Sequence, residues 1–328
     1  MKLHEDKILF ADIISRAAAH PSQGGLGVPP QFIEKDYWIT NALYNLSKSP
    51  YTDYAVFKGG TSLSKAHHIG MRFSEDIDVA IIGADDLSEA KLKNIIRSTE
   101  KAMSIDLTEI PHPQSSKGSR YRKTFYSYPL LHGSAQSLSV IPGQLLFEIN
   151  SFANPAPFKK LQIHSFIYDY LSMVMADHLI EVFSLKPFEI NVLDKRTTMT
   201  EKLMSLFRFS LAENPMPELE AKIRHFYDLY YLMQDFECDN YLHSEDFRNN
   251  FTELLNHDQD LFDNPPGWRN KSITDSPLIT NFENLWSELK KRYENELPPL
   301  AYSLSIPKVE EIEVSMNTIF EEIKRLYL

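Results

Sequence analysis

Two aspartates separated by one residue, Asp76-Ile77-Asp78, open a segment that alternates and then turns apolar through Ile82. Successive side chains on a strand point to opposite faces, so both carboxylates project to the same face and can chelate one divalent cation or a closely spaced pair. Hard oxygen donors of this kind suit magnesium or manganese. In phosphoryl chemistry such ions hold a triphosphate and clamp the attacking and leaving oxygens. A third carboxylate from a neighbouring strand would complete the set. Glu148 is the first choice, because Gln144 to Phe152 places Leu145, Phe147 and Ile149 on one face and Glu148 and Asn150 on the other. Glu189, in the strand candidate Phe188 to Leu193, is the reserve.

Upstream lies Gly59-Gly60-Thr61-Ser62. The glycines let backbone approach a phosphate with no Cβ in the way, and Thr61 and Ser62 add hydroxyls at the start of a helix. Lys65, Arg72 and Ser74 join this nucleotide-binding set, with Lys58 adding further charge. The pattern is neither a Walker loop nor a dinucleotide fingerprint. Alone, a Gly-Gly pair reads as a turn and an Asp-x-Asp as a solvated strand end. Their order carries the functional reading: strand, Gly-Gly-Thr-Ser, helix-length spacer, strand opening on Asp-Ile-Asp.

Elements must bring these residues together. Glu5 to Ala19 and Gln31 to Leu46 read as helices, the second with Phe32, Ile33, Tyr37, Ile39 and Leu43 toward the core. Tyr54 to Phe57 is a short buried strand, a helix begins near Thr61, and the stretch from Pro111 to Arg122 is loop-like, leading into a strand at Thr124 to Tyr128. From about Phe166 long helical patterns take over, so a domain boundary is placed near residue 165: residues 1–165 form the core with its N-terminal helices, and 166–328 a mainly helical domain. Thr198-Met199-Thr200-Glu201 has the form of a capping box, which starts a helix there with Lys202 in its first turn. A helix at Glu218 to Met233 sets Arg224 four residues from Asp228, the spacing of an ordinary ion pair, and Val309 to Tyr327 forms a terminal amphipathic helix. Tyr227, Tyr230 and Tyr231 lie on a helix whose spacing favours packing over base stacking, and His67 and His68 precede a loop rather than forming a metal motif.

Composition bounds the rest. With 43% apolar and 12% aromatic residues, a chain of 328 residues can build a substantial core. The net charge of −11 disfavours broad adhesion to nucleic acid, so a nucleic acid acceptor needs a local basic patch. Lys117-Gly118-Ser119-Arg120-Tyr121-Arg122-Lys123 supplies one, with four cations and no acid. Cys238 is the only cysteine, which excludes disulfides and cysteine-rich zinc sites. The acids in Met1 to Lys7 and the lack of a long apolar run predict a cytoplasmic protein with no membrane partner.

The segments Phe57 to Lys65 and Arg72 to Asp78 together resemble the AbiEii/AbiGii toxin family of nucleotidyltransferases. Ile33-Glu34-Lys35-Asp36-Tyr37-Trp38 is similar to the family's N-terminal helix, Glu201-Lys202-Leu203 to its lysine motif, and Arg224 to Tyr230 to its last motif. The resemblance implies an α+β fold: a polymerase-beta-like nucleotidyltransferase core with a mixed sheet, followed by a mainly helical domain that contributes Lys202 and Asp228 to the site. It implies magnesium and a nucleoside triphosphate (NTP), with catalytic roles for Asp76, Asp78, Glu148, Lys202 and Asp228. It further implies a toxin of a toxin-antitoxin or abortive-infection system with a cognate antitoxin, and RNA such as tRNA as acceptor. A protein hydroxyl, an antibiotic-like small molecule, or a catalytically silent nucleotide- or partner-binding module are the competing readings.

Overall fold

The computed structural model describes residues 1–131, 143–153, 155–302 and 306–327. The chain divides into two compact units, the first Met1–His68 with Phe73–Leu193, the second Ile69–Arg72 with Asp194–Leu328.

The first unit contains α1 (Lys7–Ala17), α2 (Pro30–Ser47), β1 (Ala55–Lys58), α3 (Gly59–Lys65), β2 (Asp76–Ile81), α4 (Glu89–Met103), β3 (Thr108–Ile110), β4 (Ser116–Lys117), β5 (Tyr121–Ser127), β6 (Gln144–Asn150), β7 (Phe158–Ile163), α5 (Phe166–Met173), α6 (Asp177–Val182) and β8 (Phe188–Leu193). The strands form a mixed sheet in the order β3-β5-β6-β2-β1-β8-β7, with β4 paired to β5. β1 runs antiparallel to β2, while β2 and β6 are parallel. One sheet face is core: Phe57, Ile77, Val79, Leu145, Phe147 and Ile149 are all fully buried. The side chains of Asp76, Asp78, Leu146, Glu148 and Asn150 alternate to the opposite face and are half-buried. The α+β class expected from sequence is therefore the observed one.

Helix α4 packs on β6 and α2 on α4 and β8. Pro30 opens α2 at its first position, where a missing N–H costs nothing, and Ser88 caps α4 by accepting from the Lys91 N–H.

The second unit carries α7 (Lys195–Ser210), α8 (Pro215–Glu220), α9 (Ile223–Met233), α10 (Phe236–Leu242), α11 (Glu245–Leu261), α12 (Pro277–Thr280), α13 (Phe282–Glu296) and α14 (Val309–Tyr327). Among the described residues, no helix is long and apolar enough to cross a membrane.

Four sequence expectations are corrected. The division falls after Leu193 rather than near residue 165, because β7 and β8 extend the sheet: Val192 pairs in parallel with Phe57. Helix α7 starts at Lys195, capped by the Asp194 carboxylate accepting from the Arg196 N–H. Thr198 to Glu201 is thus helix interior, not a capping box, and Lys202 lies two turns in. The stretch from Pro111 to Arg122 contains β4 and the start of β5. Glu218 to Met233 is split between α8 and α9.

Candidate active site

The sheet register sets one row of charged residues side by side on the polar face: Lys123, Glu148, Asp78 and Lys58. Asp76 follows two residues before Asp78 on the same face, beside Leu146. Glu148 is therefore the carboxylate nearest in register to the aspartates. Glu189 sits exposed near the start of β8, opposite Gln162 and three residues before the Val192 row, so register excludes it from this group. The Glu148 carboxylate is engaged: its Oε1 lies 2.7 Å from the Lys123 Nζ.

Gly59 is what lets the Asp78 carboxylate approach the turn between β1 and α3. Its φ is +77°, a left-handed value that favours glycine, and a Cβ there would overlap Oδ2 of Asp78 and lie 3.0 Å from its Cγ. The Thr61 hydroxyl donates to the Asp76 carbonyl, tying α3 to the first residue of β2, and the Ser62 hydroxyl donates to the Gly59 carbonyl at 2.8 Å. Both side chains are buried, and these hydrogen bonds shape the turn.

The polar face has a negative field. The Tyr121 phenol, on the same face as Glu148, is pushed up to about 12 by burial and then by the charges of Glu148 and Asp78. Hard oxygen donors in such a field suit a divalent cation whose remaining ligands come from water and phosphate. Among the described residues no group of three or more His, Cys, Asp or Glu side chains is arranged to hold a metal ion; Asp76 and Asp78 share one face of β2, and Glu148, beside Asp78 in register, is paired with Lys123.

Several expected phosphate ligands are committed elsewhere. Lys65 forms an ion pair with Asp36, a buried carboxylate on α2 that also accepts from the Phe166 N–H at 2.9 Å. Burial raises the Asp36 pKa, and Lys65 pulls against that shift. Ser74 lies half-buried in the extended approach to β2. Arg72 belongs to the second unit, where its Nε and Nη2 donate to the two oxygens of Asp228, each at 2.7 Å. Lys202 joins the same carboxylate at 2.8 Å from Oδ2. Burial alone would raise the Asp228 pKa, yet Arg72 and Lys202 outweigh it and hold the carboxyl well below the usual range. Arg224, whose spacing in the sequence set it against Asp228, reaches Glu296 instead, and it is Lys202 that shares the Asp228 carboxylate with Arg72. His225, half-buried on α9, is pushed well below the ordinary imidazole value by desolvation and then by Lys202. Tyr227 packs fully buried, its hydroxyl oxygen accepting from the Met71 N–H. His67 lies two residues beyond α3 with Nε2 2.8 Å from the Leu193 carbonyl, a structural contact.

A family model described as nucleotidyl transferase AbiEii toxin, type IV TA system, matches residues 41–313, most of the chain. The chain belongs to the AbiEii nucleotidyltransferase toxin family. No curated protein matches it. Among solved structures it is similar to MenT4, a nucleotidyltransferase toxin from Mycobacterium tuberculosis, at 14% identity and a TM-score of 0.48 over 94% of this chain and 98% of that one. It is also similar to JHP933 from Helicobacter pylori, at 13% identity and a TM-score of 0.41 over 91% and 95%.

In this AbiEii member, each cation of the basic segment Lys117 to Lys123 is paired with an acid. Lys117 pairs with Glu109, Arg120 with Glu89, Arg122 with Glu100 and Lys123 with Glu148. Glu100 is buried on α4 and also accepts from the hydroxyls of Thr124 at 2.6 Å and Tyr126 at 3.1 Å. Replacing Arg122 is therefore a stability change before it is an RNA-binding change. Arg122→Ala is expected to cost about 3–5 kcal/mol, the loss typical of breaking one partner out of a buried ion pair, and thermal melting would check it. An unchanged melting temperature would return Arg122 to the candidate RNA contacts. Sequence reasoning matched Glu34, Lys35 and Asp36 to the family's N-terminal helix but gave them no structural role. They fall inside a helix with a strong apolar pattern, and nothing local signals that consecutive charges are buried there.

Proposed function

We propose that this nucleotidyltransferase moves a nucleoside monophosphate from an NTP to an acceptor hydroxyl. The acceptor oxygen bonds to the α-phosphorus, the bond to the bridging oxygen of the β-phosphate breaks, and pyrophosphate leaves. Asp76 and Asp78 hold magnesium, which when bound neutralises triphosphate charge and polarises the phosphoryl oxygens. Glu148, one strand over in the same row as Asp78, completes the cation site or takes the acceptor proton when Lys123 releases it. The Gly59-Gly60 turn admits the phosphates closely; within the second unit, Arg72 and Lys202 share the Asp228 carboxylate and retain a unit of positive charge.

The observation that carries this reading is the fit of Gly59 against the Asp78 carboxylate, which joins the glycine turn and the aspartate strand into one site. The acceptor we assign is RNA, with tRNA first, and the biological setting is a toxin with a cognate antitoxin; the family description supports the toxin setting, and neither it nor the paired charges of Lys117 to Lys123 identifies the acceptor. The test is to incubate the protein with each of the four α-labelled triphosphates and total cellular extract, and to fractionate the label. Label in small RNA supports the reading. Label confined to protein or to small molecules replaces the acceptor class.

A further inference from the structure

Helix α2 buries three consecutive charged residues: Glu34, Lys35 and Asp36 are 4%, 0% and 3% exposed. Neighbouring residues on a helix point about 100° apart, so an amphipathic surface helix would leave at least one of them in water. Each instead meets a different segment of the first unit. Glu34 accepts from the Leu131 N–H at 2.8 Å, Lys35 donates to the Glu75 carboxylate at 2.7 Å, and Asp36 takes Lys65 and the Phe166 N–H.

Two of these partners flank the site. Glu75 is the residue before Asp76, and Lys65 closes the helix that begins at Gly59. Together with the Thr61 hydroxyl on the Asp76 carbonyl and the contact of Gly59 with Asp78, they fasten the turn and the aspartate strand at both ends. Buried ion pairs are a poor source of net stability compared with apolar residues of the same volume, and their best-attested use is to fix one arrangement against others.

We infer that Glu34-Lys35-Asp36 positions the Asp76 and Asp78 carboxylates, with the pair of Lys35 and Glu75 setting where β2 begins. This rests on the function proposed above. Lys35 and Glu75 are positioning residues that act through the strand they anchor.

The test compares the full-length protein with K35M/E75L, which replaces both members of the pair by apolar residues, and with K35R, which keeps the pair. Steady-state labelling of RNA and thermal melting are read together. K35M/E75L is expected to melt near the parent temperature while kcat falls at least about tenfold, and KM for the triphosphate stays within roughly a factor of two, as misplacement of reacting groups predicts. K35R is expected to keep most of the turnover. Parental turnover in K35M/E75L would overturn the inference, and so would a K35R variant as impaired as K35M/E75L. Should K35M/E75L not fold, E75Q takes its place with the same two outcomes. If the parent itself transfers no label, the proposed function fails, and the inference is read from Mn2+ affinity by electron paramagnetic resonance. Binding weakened about tenfold in K35M/E75L then supports it, and unchanged binding overturns it.

Discussion

Gly59→Ala is expected to reduce nucleotide transfer by about a hundredfold while leaving most of the fold in place, the scale of loss that a misplacement of about 1 Å produces. Two penalties act at one atom. Alanine in a left-handed conformation costs on the order of 1–2 kcal/mol, a modest fraction of a domain's stability. The added methyl would also overlap the Asp78 carboxylate oxygen and crowd its Cγ and Cβ, at 3.0 and 3.2 Å. Asp78 is the far wall of the turn, so relief comes by rotating its carboxylate off the face it shares with Asp76, or by rebuilding the turn from β1 into α3. Either outcome separates Asp76 from Asp78. Labelling with α-labelled triphosphate beside a melting curve checks this. A variant that transfers at the parent rate would show that the Asp78 carboxylate does not need its observed place.

The second large effect is on stability. Asp228→Ala removes the carboxylate shared by two cations that are themselves nearly enclosed, with Arg72 at 6% and Lys202 at 7% side-chain exposure. The expected loss is about 3–5 kcal/mol, that of breaking a buried ion pair from one side. The pH dependence has a definite sign. Because the folded carboxyl is held well below its unfolded value near 3.9, its contribution is complete above that value and is lost as pH falls below it. Thermal melting from pH 7 down to pH 3 should therefore drop more steeply below about pH 4 in the native protein than in Asp228→Asn. Parallel curves would mean that Asp228 does not carry the charge assigned to it.

What could be read from sequence was what local pattern encodes. The alternation in β6 announced which of its residues are core and placed Glu148 and Asn150 on the other face, and β2 declared both aspartates on one side. The glycine turn was legible because only glycine tolerates both the φ and the contact at Gly59. Pairings between distant segments were not legible. Arg72 reads as a phosphate ligand beside Gly59-Gly60, yet its partner is Asp228, 156 residues on. Lys65 and Lys35 were claimed by carboxylates 29 and 40 residues away. The basic run from Lys117 to Lys123 reads as a patch until its four acids are found on other elements. Thr198 to Glu201 imitates a capping box, while the Asp194 that does cap α7 lies four residues earlier, directly after a strand. That strand, β8, was itself located correctly, but its parallel partner β1 is too distant in sequence for any local signal to draw it into the first unit.

The most direct measurement is transfer itself. Native protein and Asp78→Asn, each with magnesium, total RNA and the four α-labelled triphosphates, are compared for label in RNA and for melting temperature. The native protein is expected to label RNA, and Asp78→Asn, folded to the same melting temperature within a few degrees, is expected to label none, because one of the two carboxylates that hold the cation is gone. Equal labelling by Asp78→Asn would contradict the assignment of the site, and no label from the native protein in any acceptor would contradict the reaction.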